Sequence, residues 1–296
     1  MIRNGWHILG AGAIGSLFAQ ALSEAGSTCT LLTRRAGETQ REIQILRADI
    51  PPVTTVLPCE TPAVRGSIHR LLVTTKAYDV EDALAAVAHR LQRDSEIVLL
   101  TNGMGLAEVA RRLCPAAAIY CGTTTEGAYR ESPNAVRHAG RGTTLIGSVA
   151  PGEPPHWFNR WLALPLECSW ERNIEAALWQ KLAINCAINP LTALHGCVNG
   201  DLVHNQQLRF EFEQLCEEIA AVSAALGYRR TANTIQAAAH DVAIATAANR
   251  SSMLQDVSAG RPTEIEFITG YLVCRADEIG FNAPRNRALL AAVPRR

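Results

Sequence analysis

Apolar positions come in short strand-like runs through the first half of the chain and recur every three to four residues through the second. The stretch "WHILGAGAIGSLFAQALSEAGSTCTLLTRR", residues 6–35, predicts a strand, a glycine turn, a helix with Leu17, Ala21, Leu22 and Ala25 on one side, and a second strand. Apolar runs in "IHRLLVTTKAYDV" (68–80) and "SEIVLLTNGMG" (95–105) flank a helical stretch around "VEDALAAVAHRLQ". Alternation of this kind implies a parallel, doubly wound sheet. "AIYCGTTTEGAYR" (118–130) and "NAVRHAGRGTTLIGSV" (134–149) have strand composition. "APGEPPH" (150–156) reads as a surface loop, and "WFNRWLALPLECSWE" as one more helix and strand.

From Asn173 onward the strand signals stop, and four long stretches show a 3.6-residue apolar period. The 296 residues therefore divide into an α/β domain over 1–172 and an all-helical domain over 173–296. Pro190, which lacks an N–H and crowds the carbonyl four residues back, predicts a kink or break near Asn189.

Within "KLAINCAINP" (181–190), Lys181, Asn185 and Asn189 are spaced by four residues. Steps of four return to one side of a helix, so these groups form a polar stripe about 12 Å long. One reading places the stripe in water. A solvated face, however, normally carries several charges, and one lysine with two amides is the composition of a lined cleft. A second polar cluster, "NRSSMLQD" with Glu264 further on, leaves two readings open: Ser252 as a helix cap and Glu264 as a surface acid, or both as site residues.

Composition narrows the choices. Hydrophobic residues make up 48%, charged residues 19%, and the formal net charge is zero, which argues against disorder and against a polyanion partner such as nucleic acid. The start of the chain shows no cleavable leader, and no apolar run reaches the roughly 20 residues that a membrane span needs. The nine cysteines fall singly, without CxxC, as expected for free thiols in a reducing cytoplasm, with no metal site.

Candidate chemistry begins at the glycine turn. Gly10, Gly12 and Gly15 form GxGxxG between a strand and a helix: a tight turn, an open approach for a pyrophosphate, and close helix–strand packing. This is the dinucleotide fingerprint of a Rossmann-type domain. The second strand ends in Arg34 and Arg35 instead of the acid that binds a ribose 2′-hydroxyl, which favours NADP over NAD. Surface solvation is the other reading of these arginines. Lys76 and Asn102 follow the next two strands, where ligands collect in such sheets, although either alone could be an ordinary loop residue.

Together these segments resemble the ketopantoate reductase (2-dehydropantoate 2-reductase) family. The resemblance rests on "GAGAIG" (10–15), "VTTKA" (73–77), "NGMG" (102–105), "GTTTEGA" (122–128), "LWQKLAINCAINPLTAL" (178–194), "NRSSMLQD" (249–256) and "TEIEFITG" (263–270). It implies an NADPH-dependent reduction in a cleft between the two domains, the second similar to the C-terminal domain of 6-phosphogluconate dehydrogenase. It further implies that Gly10, Ala11, Gly12, Ala13, Ile14 and Gly15 cradle the pyrophosphate of NADP(H), with Arg34 and Lys76 near the adenosine phosphate and Ala128 close to the cofactor. Asn102 would stand between nicotinamide and substrate, Lys181 would be the general acid, and Glu264 would bond cofactor or substrate beside it. Asn185, Asn189, Asn199 and Ser252 would hold a small-molecule substrate. The segment after Arg34 matches nothing, and Arg35 has no assigned purpose. A related 2-keto or 3-hydroxy acid dehydrogenase, or a non-catalytic NADP sensor, stands as the alternative; a monomer or homodimer is expected.

Overall fold

The computed structural model describes residues 5–150 and 152–294; Met1–Asn4, Pro151 of the 150–156 loop, and Arg295–Arg296 lie outside the described residues. The chain groups into two compact units. One takes residues up to Thr101 together with Leu106–Glu175, and the other takes Asn102–Gly105 together with Ala176 onward.

In the first unit, strands β1 (Gly5–Leu9), β2 (Thr28–Leu32), β3 (Gln40–Leu46), β4 (Val53–Glu60), β5 (Ile68–Val73), β6 (Leu91–Leu99), β7 (Ala118–Thr124), β8 (Gly127–Arg130), β9 (Ala135–Gly140), β10 (Thr143–Ser148) and β11 (Glu167–Trp170) join one sheet. Their order is β11-β10-β7-β6-β5-β1-β2-β4-β3-β9-β8. The centre, from β7 through β6, β5, β1 and β2 to β4, is parallel, as expected of a doubly wound sheet. Antiparallel pairs β3–β4, β8–β9 and β7–β10 extend it on both sides. Each of the stretches 118–130 and 134–149 thus divides into two strands that pair with strands of the other, β7 with β10 and β8 with β9, and the unmatched segment after Arg34 supplies β3 and β4. A period-2 pattern marks strands but locates neither the breaks within such a stretch nor the partners each strand takes.

Helix α1 (Ala13–Glu24) is buried at every position from Gly15 to Leu22, Gln20 included. A helix covered all round lies inside its unit, not on a face of it. The strands wrap it: α1 packs against β1, β2, β3, β8 and β9. Helices α2 (Val80–Val87), α3 (Leu106–Leu113) and α4 (Phe158–Trp161) complete the unit. Trp6 meets Trp157 edge-on at 5.1 Å, and Trp161 sits 5.4 Å from Phe18.

The second unit is helical throughout: α5 (Ile174–His195), α6 (Asp201–His204), α7 (Gln206–Ala225), α8 (Arg229–Ala245), α9 (Ser252–Ser258), α10 (Tyr271–Glu278) and α11 (Pro284–Ala292), with a π-helical turn at Glu266–Gly270. Asn205 caps α7, its side chain accepting from the N–H groups of Gln207 and Leu208. The core gathers Leu182, Cys186 and Leu191 of α5 with Phe212, Leu215 and Ile219 of α7. Trp179 stacks on Tyr228 at 4.5 Å while its indole N–H donates to Ser223.

Of the kink or break expected near Asn189, the break does not occur. Helix α5 runs without a break from Ile174 to His195 with Pro190 inside it. Proline in a helix interior costs about 3 kcal/mol. Burial of Ile188 and Leu191 on either side of it offsets that cost, since each buried aliphatic side chain contributes roughly 2 kcal/mol.

Candidate active site

Within the first unit, the carboxyl ends of β1 and β5 lie side by side, with the Thr74 N–H donating to the Leu9 carbonyl at 2.8 Å. The glycine loop is built into this edge. Gly10 has φ +101°, and a Cβ there would lie 2.5 Å from the Thr75 nitrogen; one at Gly15 would lie 2.2 Å from the Gly10 carbonyl oxygen. Gly12 differs: an added Cβ would meet nothing nearer than 3.9 Å, so the space in front of it is open. Gly12 also begins α1 with no side-chain cap, leaving the first-turn N–H groups of Ala13, Ile14 and Gly15 without intrahelical acceptors. Open space before the uncapped N–H groups of a helix N-terminus fits a pyrophosphate.

At the end of β2, Arg34 is exposed and pairs with Asp79 at 3.3 Å. Asp79 closes the short turn after Lys76, its N–H donating to the Lys76 carbonyl at 2.9 Å, so the structure brings the Arg34 and Lys76 segments together. Glu38 folds back onto the same strand end, accepting from Thr33 Oγ1 at 2.7 Å and from Arg41 Nε and Nη2 at 2.8 and 2.7 Å. These bonds hold its carboxyl down at about 2. Ala128 lies on β8 opposite His138 of β9. Arg130, at the far end of β8, donates through Nη2 to the Ala11 carbonyl inside the glycine loop. Sequence reading missed Arg130 because 119 residues separate it from Ala11 and no spacing rule links them.

The second unit holds the other cluster. Asn102 Nδ2 donates to Glu264 Oε2 at 3.1 Å. Glu264 is only 4% exposed, which excludes the surface-acid reading. Burial draws the Lys181 ammonium down to about 8, and the Glu264 carboxylate partly opposes that shift. Lys181 and Asn185 are half-buried and Asn189 is buried, so the stripe on α5 does not face open water. Beyond Asn189 the stripe continues to Thr192, whose Oγ1 lies 2.7 Å from Ser251 Oγ. Ser251, not Ser252, caps α9 by accepting from the Leu254 N–H; Ser252 begins the helix with its side chain exposed. Serine at either position satisfies the local pattern, and the φ/ψ of Ser251 decides which one caps. Asn199 is buried, its N–H bonds the Asn249 carbonyl, and Nδ2 donates to Thr246 Oγ1 at 2.8 Å. Its amide oxygen has no partner among the described residues and is an orphan acceptor for a donor such as a hydroxyl.

The 102–105 loop explains how Asn102 reaches this cluster. Gly103, at φ +80°, brings the chain so close to the π-helical turn that a Cβ would lie 2.6 Å from the Phe267 carbonyl oxygen. The Met104 N–H donates to that same carbonyl at 3.1 Å.

Among the described residues no three His, Cys, Asp or Glu side chains gather as for a metal, and no helix is long and apolar enough to cross a membrane. All nine cysteines are free.

A dinucleotide fingerprint in an α/β unit, followed by a helical unit carrying a lowered-pKa lysine beside a buried carboxylate, defines the Rossmann-type two-domain class. The chain belongs to the ketopantoate reductase family: the pattern described as "Ketopantoate reductase PanE/ApbA" matches residues 6–151, and its C-terminal counterpart matches residues 173–296. The 2-dehydropantoate 2-reductase of Salmonella typhimurium is 37% identical over 98% of this chain and 94% of its own length. A PanE/ApbA family ketopantoate reductase from Ralstonia eutropha JMP134 superposes with a TM-score of 0.85 at 25% identity, over 98% of this chain and 97% of that one. D-mandelate dehydrogenase with NADH and anilino(oxo)acetate superposes at 0.86 with 22% identity, over 98% and 97% of the two chains, a likeness of fold alone.

Proposed function

We propose that this chain is an NADPH-dependent 2-dehydropantoate 2-reductase, reducing ketopantoate to (R)-pantoate for pantothenate and coenzyme A synthesis in the cytoplasm, as a monomer or homodimer. Family membership across both halves supports the activity. The single observation that carries the mechanism is the lysine at about 8 beside a buried glutamate on the helical unit.

NADPH, when bound, supplies the hydride that converts the keto carbon to an alcohol carbon. Negative charge then develops on the former carbonyl oxygen, and a donor aimed at that oxygen lowers the barrier. Lys181 is that donor: its ammonium hydrogen-bonds the oxygen and passes its proton there, leaving a neutral amine that solvent recharges. Glu264 keeps enough of the lysine protonated at working pH and is itself oriented by Asn102. Asn185, Asn189, Asn199 and Ser252 bind the substrate's carboxylate and hydroxyl, the orphan oxygen of Asn199 being suited to the hydroxyl. The glycine loop, with the backbone of Ala11, Ala13 and Ile14, holds the pyrophosphate; Arg34 and Lys76 hold the adenosine phosphate, and Ala128 borders the cofactor. Cofactor binding is thus assigned to residues 1–172 and substrate binding to 173–296, with Asn102 serving both.

The test is NADPH oxidation by the purified protein with ketopantoate and with analogues lacking the hydroxyl or the carboxylate. A clear preference in kcat/KM for ketopantoate is expected. No preference would overturn the substrate, and no oxidation with any 2-keto acid would overturn the reaction.

A further inference from the structure

We propose that Thr246 is a positioning residue that sets substrate specificity: it fixes the Asn199 amide with its oxygen turned away from Thr246, so that the subsite takes a group with an O–H to donate. The inference rests on the ketopantoate reading above and adds to it a residue that touches no substrate itself.

Asn199 and Thr246 meet because two segments of the helical unit are pinned together. The Asn199 N–H donates to the Asn249 carbonyl at 3.0 Å, and the Gly200 N–H to the Ala247 carbonyl at 3.0 Å. A Cβ at Gly200 would lie 2.7 Å from that of Ala247, so the approach needs glycine. Two residues past Asn249, Ser251 Oγ lies 2.7 Å from Thr192 Oγ1, which in turn lies 3.0 Å from the Asn189 carbonyl oxygen. The 246–251 segment thus joins Asn199 to the Asn189 end of the polar stripe.

Thr246 closes α8, and its hydroxyl has one hydrogen to give. Oγ1 lies 2.6 Å from the Val242 carbonyl oxygen one turn back, which takes that hydrogen. What remains at Oγ1 is acceptor capacity, and Asn199 Nδ2 donates into it at 2.8 Å. A reversed amide would set Oδ1 against Oγ1, and the single hydrogen would then serve Oδ1 or Val242 but not both. The bonding therefore decides which end of the amide faces Thr246. Asn199 is 7% exposed, and its Oδ1 has no partner among the described residues. A buried acceptor without a donor is unfavourable, and a hydroxyl satisfies it. Carboxylate and keto oxygens only accept and are repelled. Asn199 is thereby assigned to the hydroxyl of the keto acid and not to its carboxylate, and Thr246 holds it to that role.

The experiment is steady-state kinetics of the full chain and of Thr246→Val, which keeps the side-chain shape and removes the hydroxyl. The substrates are ketopantoate and the analogue with hydrogen in place of the hydroxyl. Thr246→Val should lower kcat/KM for ketopantoate at least about tenfold, the worth of one hydrogen bond and chiefly through KM, and leave the analogue within about twofold. Thr246→Ser restores the donor and acceptor and should recover the wild-type ratio. A merely structural role would lower both substrates alike, so equal losses, no loss, or failure of serine to rescue overturns the proposal. Should Thr246→Val not fold, Thr246→Ala carries the same comparison under the same criteria. A wild type with no preference for ketopantoate over the analogue would overturn the substrate reading itself. A wild type with that preference, and a ratio unchanged in Thr246→Val, would overturn only this inference.

Discussion

The Asn102 amide donates to the Glu264 carboxylate at 3.1 Å although 162 residues of chain separate them. The carboxylate that Asn102 orients is also the charge that opposes the fall in the Lys181 pKa. A buried acid, a desolvated base and an amide from a glycine-rich loop therefore form one electrostatic unit, and perturbing any of the three should be read through the lysine.

Lys181→Ala should lower kcat at least about a hundredfold, the scale of a lost general acid, while NADPH still binds. Stopped-flow turnover and cofactor titration check both halves, and retained turnover would remove Lys181 from the reaction. The stability consequence runs the other way. In the unfolded chain the lysine titrates near 10.5, and in the fold at about 8, so below pH 8 the fold bears the full cost of keeping a desolvated ammonium. That cost, roughly 3 kcal/mol, disappears as pH rises from 8 to 10.5. Lys181→Met should therefore raise the denaturant midpoint at pH 7 and do so much less at pH 10.

Glu264→Gln removes the group that holds the lysine charged. With the protonated lysine as the proposed active form, kcat/KM of the wild type should fall as pH rises past about 8. Loss of the carboxylate lowers the pKa further, so the descending limb should move to lower pH by about one unit. A limb that stays in place would show that another group controls it.

Gly103→Ala tests the loop that delivers Asn102. Its positive φ and the 2.6 Å approach to the Phe267 carbonyl leave no room for a methyl group. Destabilisation of about 1–3 kcal/mol is expected. A fall in kcat larger than that from Asn102→Ala would show that the loop positions more than its amide, and unchanged melting would show that the close approach is not real.

Different physics governs how far each part of this arrangement was legible in the sequence. The fingerprint reads clearly because Gly10, Gly12 and Gly15 obey a local steric rule within one turn. The stripe reads clearly because helical spacing places Lys181, Asn185 and Asn189 on one face whatever surrounds them. Thr192 continues the stripe, but its meaning depends on Ser251, 59 residues away. Ser251 and Ser252 are equal in composition, and only the backbone decides which one caps α9. Pro190 misleads for a related reason: a local penalty is readable, whereas the burial of Ile188 and Leu191 that outweighs it is a property of the folded unit. Arg130 and the β3–β4 pair are legible in no window, since their roles arise from antiparallel pairing and from a contact with Ala11 across the wrapped sheet.

Arg34 carries the last prediction. Its guanidinium is 75% exposed and its bond to Asp79 is 3.3 Å long, so the pair contributes under about 1 kcal/mol. So weak a partner leaves Arg34 available for the phosphate proposed for it. Arg34→Ala should therefore weaken NADPH by about tenfold or more and NADH by less than about twofold, as read by fluorescence titration. Asp79→Asn separates the two roles of the pair. If Asp79 only restrains Arg34, this variant should bind NADPH as well as the wild type or better, because removing an acid next to the phosphate lowers repulsion. Equal weakening of both cofactors by Arg34→Ala would mean that the residue shapes the strand end without touching the 2′-phosphate.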